Sequence, residues 1–495
     1  MTRHQPLLIP AAILALSLPA ALPALAQEQG TVRIGEMQEP TVLDPTVDAT
    51  ASIDEMLTQN LYESLTTVNE AGEVLPQLAE SWEISDDGLT YTFTLTQDAA
   101  FHDGTPFDAE AVRFSFERAM AEGSTNPSSD IWEPIESVTV TDPRTIEVTL
   151  SRPDAFFLFN LAQGDASIVS PASAETNVTE PVGTGPFRFV SWTRGDRLVL
   201  EKNPDHRDAG EVTIPGVEFR FITDASAMAA ALLAGELDRA GLGAPELLAQ
   251  FENDDRFTVE IGTTEGEVIL ALNNGRAPFD DIRAREAVNR AIDREEIIAG
   301  AMDGTATPIG SFYPPHGPAY VDLTGTWPHD TETAAALFQE VGVTELSLTV
   351  PPFPYATRSA EIIQAELAQA GVAVSVETVE WGYWLEEVYS NRNYDMTIIA
   401  HTSPNDMGNF ARGPEYFYGF QSDEFDALWD RISAETDAEA RNALLEEGQR
   451  YLAENAVMAF LFQLPELAVQ RSDLEGFWTA APVLYQPLKE VHWAE

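Results

Sequence analysis

Apolar and polar residues recur along the chain in two periods, and the switches between them mark its elements. Tyr91, Phe93 and Leu95 alternate with Thr90, Thr92 and Thr94, the period of a strand with one buried face. Trp82-Glu83-Ile84 lies just before it across Ser85-Asp86-Asp87-Gly88, so the two read as a hairpin. A second strand pair is expected at 137–140 and 145–150, joined at Asp142-Pro143. Residues 31–36 read as a short strand and 53–65 as a helix. Asp224 can cap a helix through the alanine-rich run that Gly235 stops. Asp280 or Asp281 can start another, with Ala284, Ala287, Val288, Ala291 and Ile292 on one face. Helices at 331–341, 357–370, 423–435 and 437–454 alternate with strands near 346–350, 372–379 and 395–400, a βαβ arrangement. The class is α/β.

A length of 495 residues exceeds what one core organises, so at least two lobes are expected. Leu272-Asn273-Asn274-Gly275 turns a strand into a loop before a long helix, and the joint between lobes is placed there. A second crossing near 476–479 would return the last residues to the first lobe. The N-terminus changes the picture further. An apolar run from Leu7 to Ala26 is broken by Pro10, Pro19 and Pro23 and ends in Ala24-Leu25-Ala26, the pattern of an export signal cleaved after Ala26. The competing reading is a membrane anchor, since about 20 apolar residues can span a bilayer.

Charge excludes whole classes of partner. There are 81 acidic against 27 basic residues, a net charge of −54, and the lysines are Lys202 and Lys489 alone. Such a surface repels phosphate backbones, so no nucleic-acid partner is expected. It suits salty surroundings, or it traps a cationic ligand. With no cysteine, disulfides, thiolate catalysis and Cys-ligated metals are excluded. No P-loop, nucleophile elbow, HExxH or EF-hand loop occurs. The seven histidines are scattered, and none pair at metal-ligand spacing. His102, in Phe101-His102-Asp103-Gly104-Thr105-Pro106, reads as a turn lock. No catalytic residue, metal site or cofactor is expected, and binding alone explains a lobed α/β protein better than catalysis.

Several segments, taken in order, resemble one family. They are Asn60-Leu61-Tyr62-Glu63-Ser64-Leu65, Leu75-Pro76-Gln77-Leu78-Ala79-Glu80-Ser81-Trp82 and the His102 segment. Ala109-Glu110-Ala111-Val112-Arg113-Phe114-Ser115, Pro181-Val182-Gly183-Thr184-Gly185-Pro186-Phe187 and Asn203-Pro204 follow, then Ala231 to Asp238 and Ala287 to Arg294. The set resembles the family 5 extracellular solute-binding proteins of ABC importers, which take peptides, oligopeptides or nickel. The resemblance implies a two-lobed periplasmic-binding-protein fold, type II-like (cluster C), with an extra subdomain in the first lobe at about 67–180. The expected domains are a signal peptide at 1–26, a first lobe at 27–272 completed by 477–495, and a second lobe at 273–476. It also implies a monomer in the periplasm that closes on a small solute and delivers it to a membrane permease.

A peptide-like solute is the default, with oligosaccharide, opine-like and nickel-chelate ligands behind it; a secreted hydrolase is the reading from another class. In the dipeptide branch an aspartate holds the ligand amine and an arginine its carboxylate. Asp406 is the matching aspartate, and the arginine's neighbourhood reads Val350-Pro351-Pro352-Phe353-Pro354, with none until Arg358. His401, Asp406 and Arg412 occupy a strand-exit loop, where α/β ligand sites form, with Tyr416 nearby. Trp381, Tyr383 and Trp384 either wall the cleft or pack a helix on the sheet. Asn273 and Asn274 either meet ligand or satisfy the crossing strands.

Overall fold

Two long strands cross the whole molecule, and everything else is arranged on either side of them. The computed structural model describes residues 30–48 and 50–494; the expected export signal at 1–26 lies outside the described residues. One mixed sheet runs Ala373–Thr378, Glu345–Val350, Met396–His401, Phe257–Leu272, Ala459–Arg471, Arg239–Gly241, Val32–Glu36, Gly216–Phe221, Arg197–Lys202, Phe187–Thr193. The first three strands belong to one lobe and the last five to the other. Phe257–Leu272 and Ala459–Arg471 are antiparallel neighbours shared by both.

The sequence of the first crossing strand shows why it serves both lobes. From Val268 to Leu272 it is apolar at every position, as a strand covered on both faces must be. Val268, Leu270 and Leu272 enter one core with Val288 and Ile363. Ile269 and Ala271 enter another with Trp384, Phe410 and Phe460. At its other end the strand pairs with residues that serve the first lobe, where Val32 and Ile34 pack with Leu57, Tyr62 and Phe219. Between the two regimes the ladder breaks. Thr263 pairs with Pro465 and Glu267 with Gln463, so Thr264, Glu265 and Gly266 stand opposite Leu464 alone, a bulge that bends the ribbon. The ladder is thus interrupted at residues 263–267 and 463–465, while Leu272-Asn273, where the joint between lobes is expected, is the outer end of the strand.

A separate four-stranded antiparallel sheet, ordered Ala79–Ile84, Thr90–Leu95, Thr145–Leu150, Ile135–Asp142, lies within the 67–180 stretch. The helix Ala109–Met120 covers it, with Val112 and Phe116 in the same core as Phe93 and Val148. Asp108 caps this helix by accepting from the amides of Glu110 and Ala111. Asp224 and Asp281 cap Ala225–Leu233 and Ile282–Ala291 as their sequence context predicts.

The helix expected over 53–65 is shorter, Ala51–Leu57. Gln59 takes φ 66, outside helical space, and the following residues pair elsewhere. The Asn60 side chain donates to the Gln486 carbonyl at 2.9 Å and accepts from the Leu488 amide at 2.8 Å. The carbonyls of Asn60 and Leu61 accept from Phe187 and Gly185. Gly183 and Gly185 pass so close that a Cβ on either would lie 2.0 Å from the Leu61 oxygen or 2.5 Å from the Asn60 oxygen. His102 locks the same junction, accepting from the Gly183 amide at Nδ1 and bonding the Gly185 carbonyl from Nε2 at 3.0 Å. The apolar spacing over 53–65 reflects packing of three loops rather than a continued helix. The last residues also return to the first lobe: Leu474–Glu475 pairs with His492–Trp493, and the Trp493 indole donates to the Gly30 carbonyl.

Candidate functional site

Two cavities lie where the lobes meet, one on each side of the bulged ribbon, and Glu265 lines both. The larger, about 630 Å³, is walled on one side by Glu36, Arg239, Gly243 and Glu246 of the first lobe. Facing them are Tyr355, Arg358 and Thr402 of the second, with Phe477 and Tyr485 from the returning C-terminal segment. The smaller, about 410 Å³, lies between the extra subdomain, at Tyr91, Phe156 and Phe159, and second-lobe residues Phe312, Tyr313, His316 and Asp406. Both volumes are in the range of small-molecule sites.

Carboxylates dominate these walls. Burial pushes Glu36 well above the ordinary range, Glu55 adds to the rise, and Arg239 opposes it. Burial and the neighbouring Glu466 push Glu55 up to about 7. On the other side, burial raises Glu267 strongly, with Asp406 and Glu265 adding like charge. Asp406 is raised by burial against the pull of His401, and Glu265 by burial against the pull of His316. The cations present are mostly engaged. Arg239, 5% exposed, holds Glu260 at 2.7 Å and Glu466 at 2.9 Å, with Phe477 stacked on its guanidinium at 4.2 Å. His316 Nε2 meets Glu265 at 2.8 Å. Arg358 reaches Glu246 across the cavity mouth at a loose 3.6 Å.

Of the residues singled out by sequence, Asp406 lines a cavity. His401 stands behind it, its Nδ1 3.3 Å from the carboxylate and its Nε2 2.7 Å from the Tyr418 hydroxyl, so it orients Asp406 rather than the solute. Trp384 is core: its indole donates to Thr397 and its ring packs with Phe417. Trp381 stacks on it, 40% exposed, and Tyr383 is 49% exposed, and neither lines the two cavities. The segment's aromatic density thus builds the second lobe's face. Arg412 is exposed and lies over the Tyr416 ring, also away from both cavities. Asn273 and Asn274 satisfy carbonyls of Arg392, Tyr394, Leu272 and Val457 at the strand's outer end. The cleft instead draws on Glu36, Glu55, Arg239, Glu265, Glu267, His316, Tyr355, Arg358 and Glu466. The visible signal for two of these was Thr264-Glu265-Gly266-Glu267 leading into an apolar run, acids where a central strand should be apolar.

The model of the bacterial extracellular solute-binding proteins, family 5, matches residues 73–425. The chain belongs to this family. A glutathione-binding protein, GsiB, of Salmonella paratyphi A is 30% identical over 377 residues, 74% of this chain and 73% of that protein. A probable di/tripeptide-binding protein of Pseudomonas aeruginosa is 28% identical over 475 residues, 84% and 89%. The solved periplasmic binding protein DppA of Helicobacter pylori, in complex with the peptide STSA, superposes with a TM-score of 0.77 at 25% identity, covering 94% of this chain and 98% of that one. The two-lobed architecture and the solute-binding role expected from the ordered segments are those of the family. Among the described residues no helix is long and apolar enough to cross a membrane. The junction between the lobes holds the two cavities.

Proposed function

We propose that this chain captures a short peptide between its lobes outside the inner membrane and presents the closed form to the permease of an ABC importer. The observation that carries this reading is the pair of cavities flanking the bulged ribbon, each with walls from both lobes. A solute touching both walls stabilises closure through those differential contacts, and no bond need change. Peptides named for relatives and for the DppA complex supply the solute class. Within that class, Arg358 is the arginine placed to take a carboxylate, because its own partner is weakly held. The lobes turn on the bulge at residues 263–267 and 463–465. Residues 1–26 direct export and are removed after Ala26, and the protein works as a periplasmic monomer.

The direct test is to denature purified protein, identify any released small molecule by mass spectrometry, and follow with melting curves. A peptide at 100 times its dissociation constant adds about 2.7 kcal/mol of stability. A sugar, opine or nickel–histidine complex that raises the melting point while peptides of several lengths do not would replace the peptide reading. Steady turnover of any of them would replace binding by hydrolysis.

Closure has protein–protein contacts of its own at the wall of the smaller cavity. The Ala155 amide donates to the Ser433 carbonyl at 2.8 Å, Arg441 donates to the Ala155 carbonyl, and Phe156 stacks on Trp429 at 5.8 Å. Phe156→Ala removes a ring pair worth about 1 kcal/mol. Apparent affinity should then fall about fivefold through a smaller closed population. Calorimetry reads the affinity, and small-angle scattering should show a more open unliganded form. Unchanged affinity would mean the stack does not report on closure.

A further inference from the structure

The smaller cavity contains an acid that the protein itself does not neutralise. Glu267 is 3% exposed, lines this cavity, and its Oε2 has no hydrogen-bond partner. Buried polar atoms are almost always partnered, and an unpaired buried carboxyl is costly to keep. Glu265 and Asp406 line the same space, and each already shares a histidine, His316 and His401 respectively. The outward nitrogen of His316, Nδ1, is likewise buried without a partner. Arg441, the cation on this cavity's wall, turns its Nη1 to the backbone oxygens of Ala155 and Glu435, at 3.3 and 3.5 Å, and forms no ion pair with these acids. The far cavity repeats the imbalance, with Glu36, Glu55 and Glu466 against the doubly engaged Arg239 and against Arg358, which faces Glu246.

A net charge of −54 accounts for acids facing water; it does not account for these, which face an enclosed space. A metal ion is a poor match, because among the described residues no three His, Asp or Glu side chains converge as metal ligands. Several separated acceptors around one space fit an organic cation, whose N–H donors point in different directions.

We infer that the solute carries a basic group other than a peptide α-amine, an ammonium or guanidinium, which seats against Glu265 and Glu267 beside Asp406 in the smaller cavity. This rests on the solute-capture reading above and narrows its ligand class. Burial raises the Glu267 carboxyl, with like charge from Asp406 and Glu265 adding to the rise, while His401 lies opposite it in the strand ladder and His316 and Tyr313 line the same cavity. The arriving cation supplies the missing countercharge, and the carboxyl proton leaves for solvent. The same charge pattern disfavours net-anionic peptides, glutathione included.

The test is titration calorimetry at pH 7.5 with tripeptides that are basic (one Arg or Lys), neutral or acidic, with glutathione among the acidic ones. A basic side chain should tighten binding by roughly tenfold or more over the neutral peptide. Repeating the basic titration in buffers of different ionisation enthalpy should show proton release. N-acetylating both the basic and the neutral peptide removes the α-amine from each: a retained preference assigns the side chain, and a lost one overturns the inference. Glu267→Gln, which keeps the shape, should bring the affinities of basic and neutral peptides within about threefold of one another. Equal binding of basic and neutral peptides by the parent, or an undiminished preference in Glu267→Gln, overturns the inference and leaves peptide capture standing. Binding of agmatine or spermidine with no response to any peptide supports the cation and overturns the peptide. Silence from every arm overturns both.

Discussion

Arg239→Met should lower the unfolding free energy at pH 7.5 by about 3–5 kcal/mol, the usual cost of removing one partner from a buried charge cluster. The guanidinium is nearly inaccessible and ties Glu260, Glu466 and Gln470 to one another through direct hydrogen bonds. It is also the charge that opposes the rise of Glu36. Without it, Glu36, Glu55 and Glu466 are left facing one another on the cavity wall. The folded-state affinities of Glu36 and Glu55 for protons are already raised, and the substitution raises that of Glu36 further. A carboxyl whose folded pKa lies above its unfolded value carries no penalty below that unfolded value, and a growing one as pH rises toward the folded value. The deficit should therefore be small near pH 4.5 and fully developed above about 7, where Glu55 titrates. Urea unfolding at pH 5 and pH 7.5 measures both. A variant within about 1 kcal/mol of the parent at pH 7.5 would show that the cluster relaxes into water.

Glu63→Gln should behave in the opposite sense with pH. Burial alone would push the Glu63 carboxyl up, but the hydrogen bond from His206 and the charge and hydrogen bonds of Arg207 outweigh it and hold it at about 2. Arg207 grips both oxygens, at 2.5 and 2.9 Å. A carboxyl depressed in this way contributes stability that is present above its unfolded pKa and lost as pH falls through the folded one. The contribution is about 3 kcal/mol at pH 7, from a shift of about 2.5 units. The parent should outlast the variant by that amount in urea at pH 7, and the gap should close as the pH is lowered from 4.5 toward 2. A gap that persists unchanged at acid pH would mean Gln fails for reasons of packing. The pair also joins Asn60-Leu61-Tyr62-Glu63 to Asn203-Pro204-Asp205-His206-Arg207, so its loss should loosen the first lobe while leaving the second intact.

That junction shows why so much of the fold was legible. The ordered segments at 60–65, 101–106, 183–187 and 203–207 meet in space, and each is explained by contacts a short stretch can carry: a capping amide, a histidine lock, two glycines against a carbonyl. Helix caps at Asp224 and Asp281 were readable for the same local reason. The cleft was not, because it is assembled at the centre of the sheet from strands far apart in the chain. Glu36, Arg239, Glu265, Arg358 and Glu466 share no motif, and each alone reads as another charge on a heavily acidic chain. The loop holding His401 and Asp406 stands out because strand exits are where such sites form; Asp406 lines the smaller cavity and His401 stands behind it. Composition leaves Trp381, Tyr383 and Trp384 open, because an aromatic cluster serves a core as readily as a binding wall, and none of the three lines the two cavities. Asn273 and Asn274 are equally open, and their side chains bond carbonyls at the outer end of the crossing strand.

The bend at the bulge has a consequence for how recognition is transmitted. The two crossing strands stay bonded to one another above and below Leu464, so the halves of the protein cannot slide independently and must turn together as one twisted band. The side chain exposed to both chambers, Glu265, sits in the gap where the band is free to flex. Neutralising it therefore acts on the axle itself: whatever meets that carboxyl alters grip and swing in the same stroke, with no relay between them.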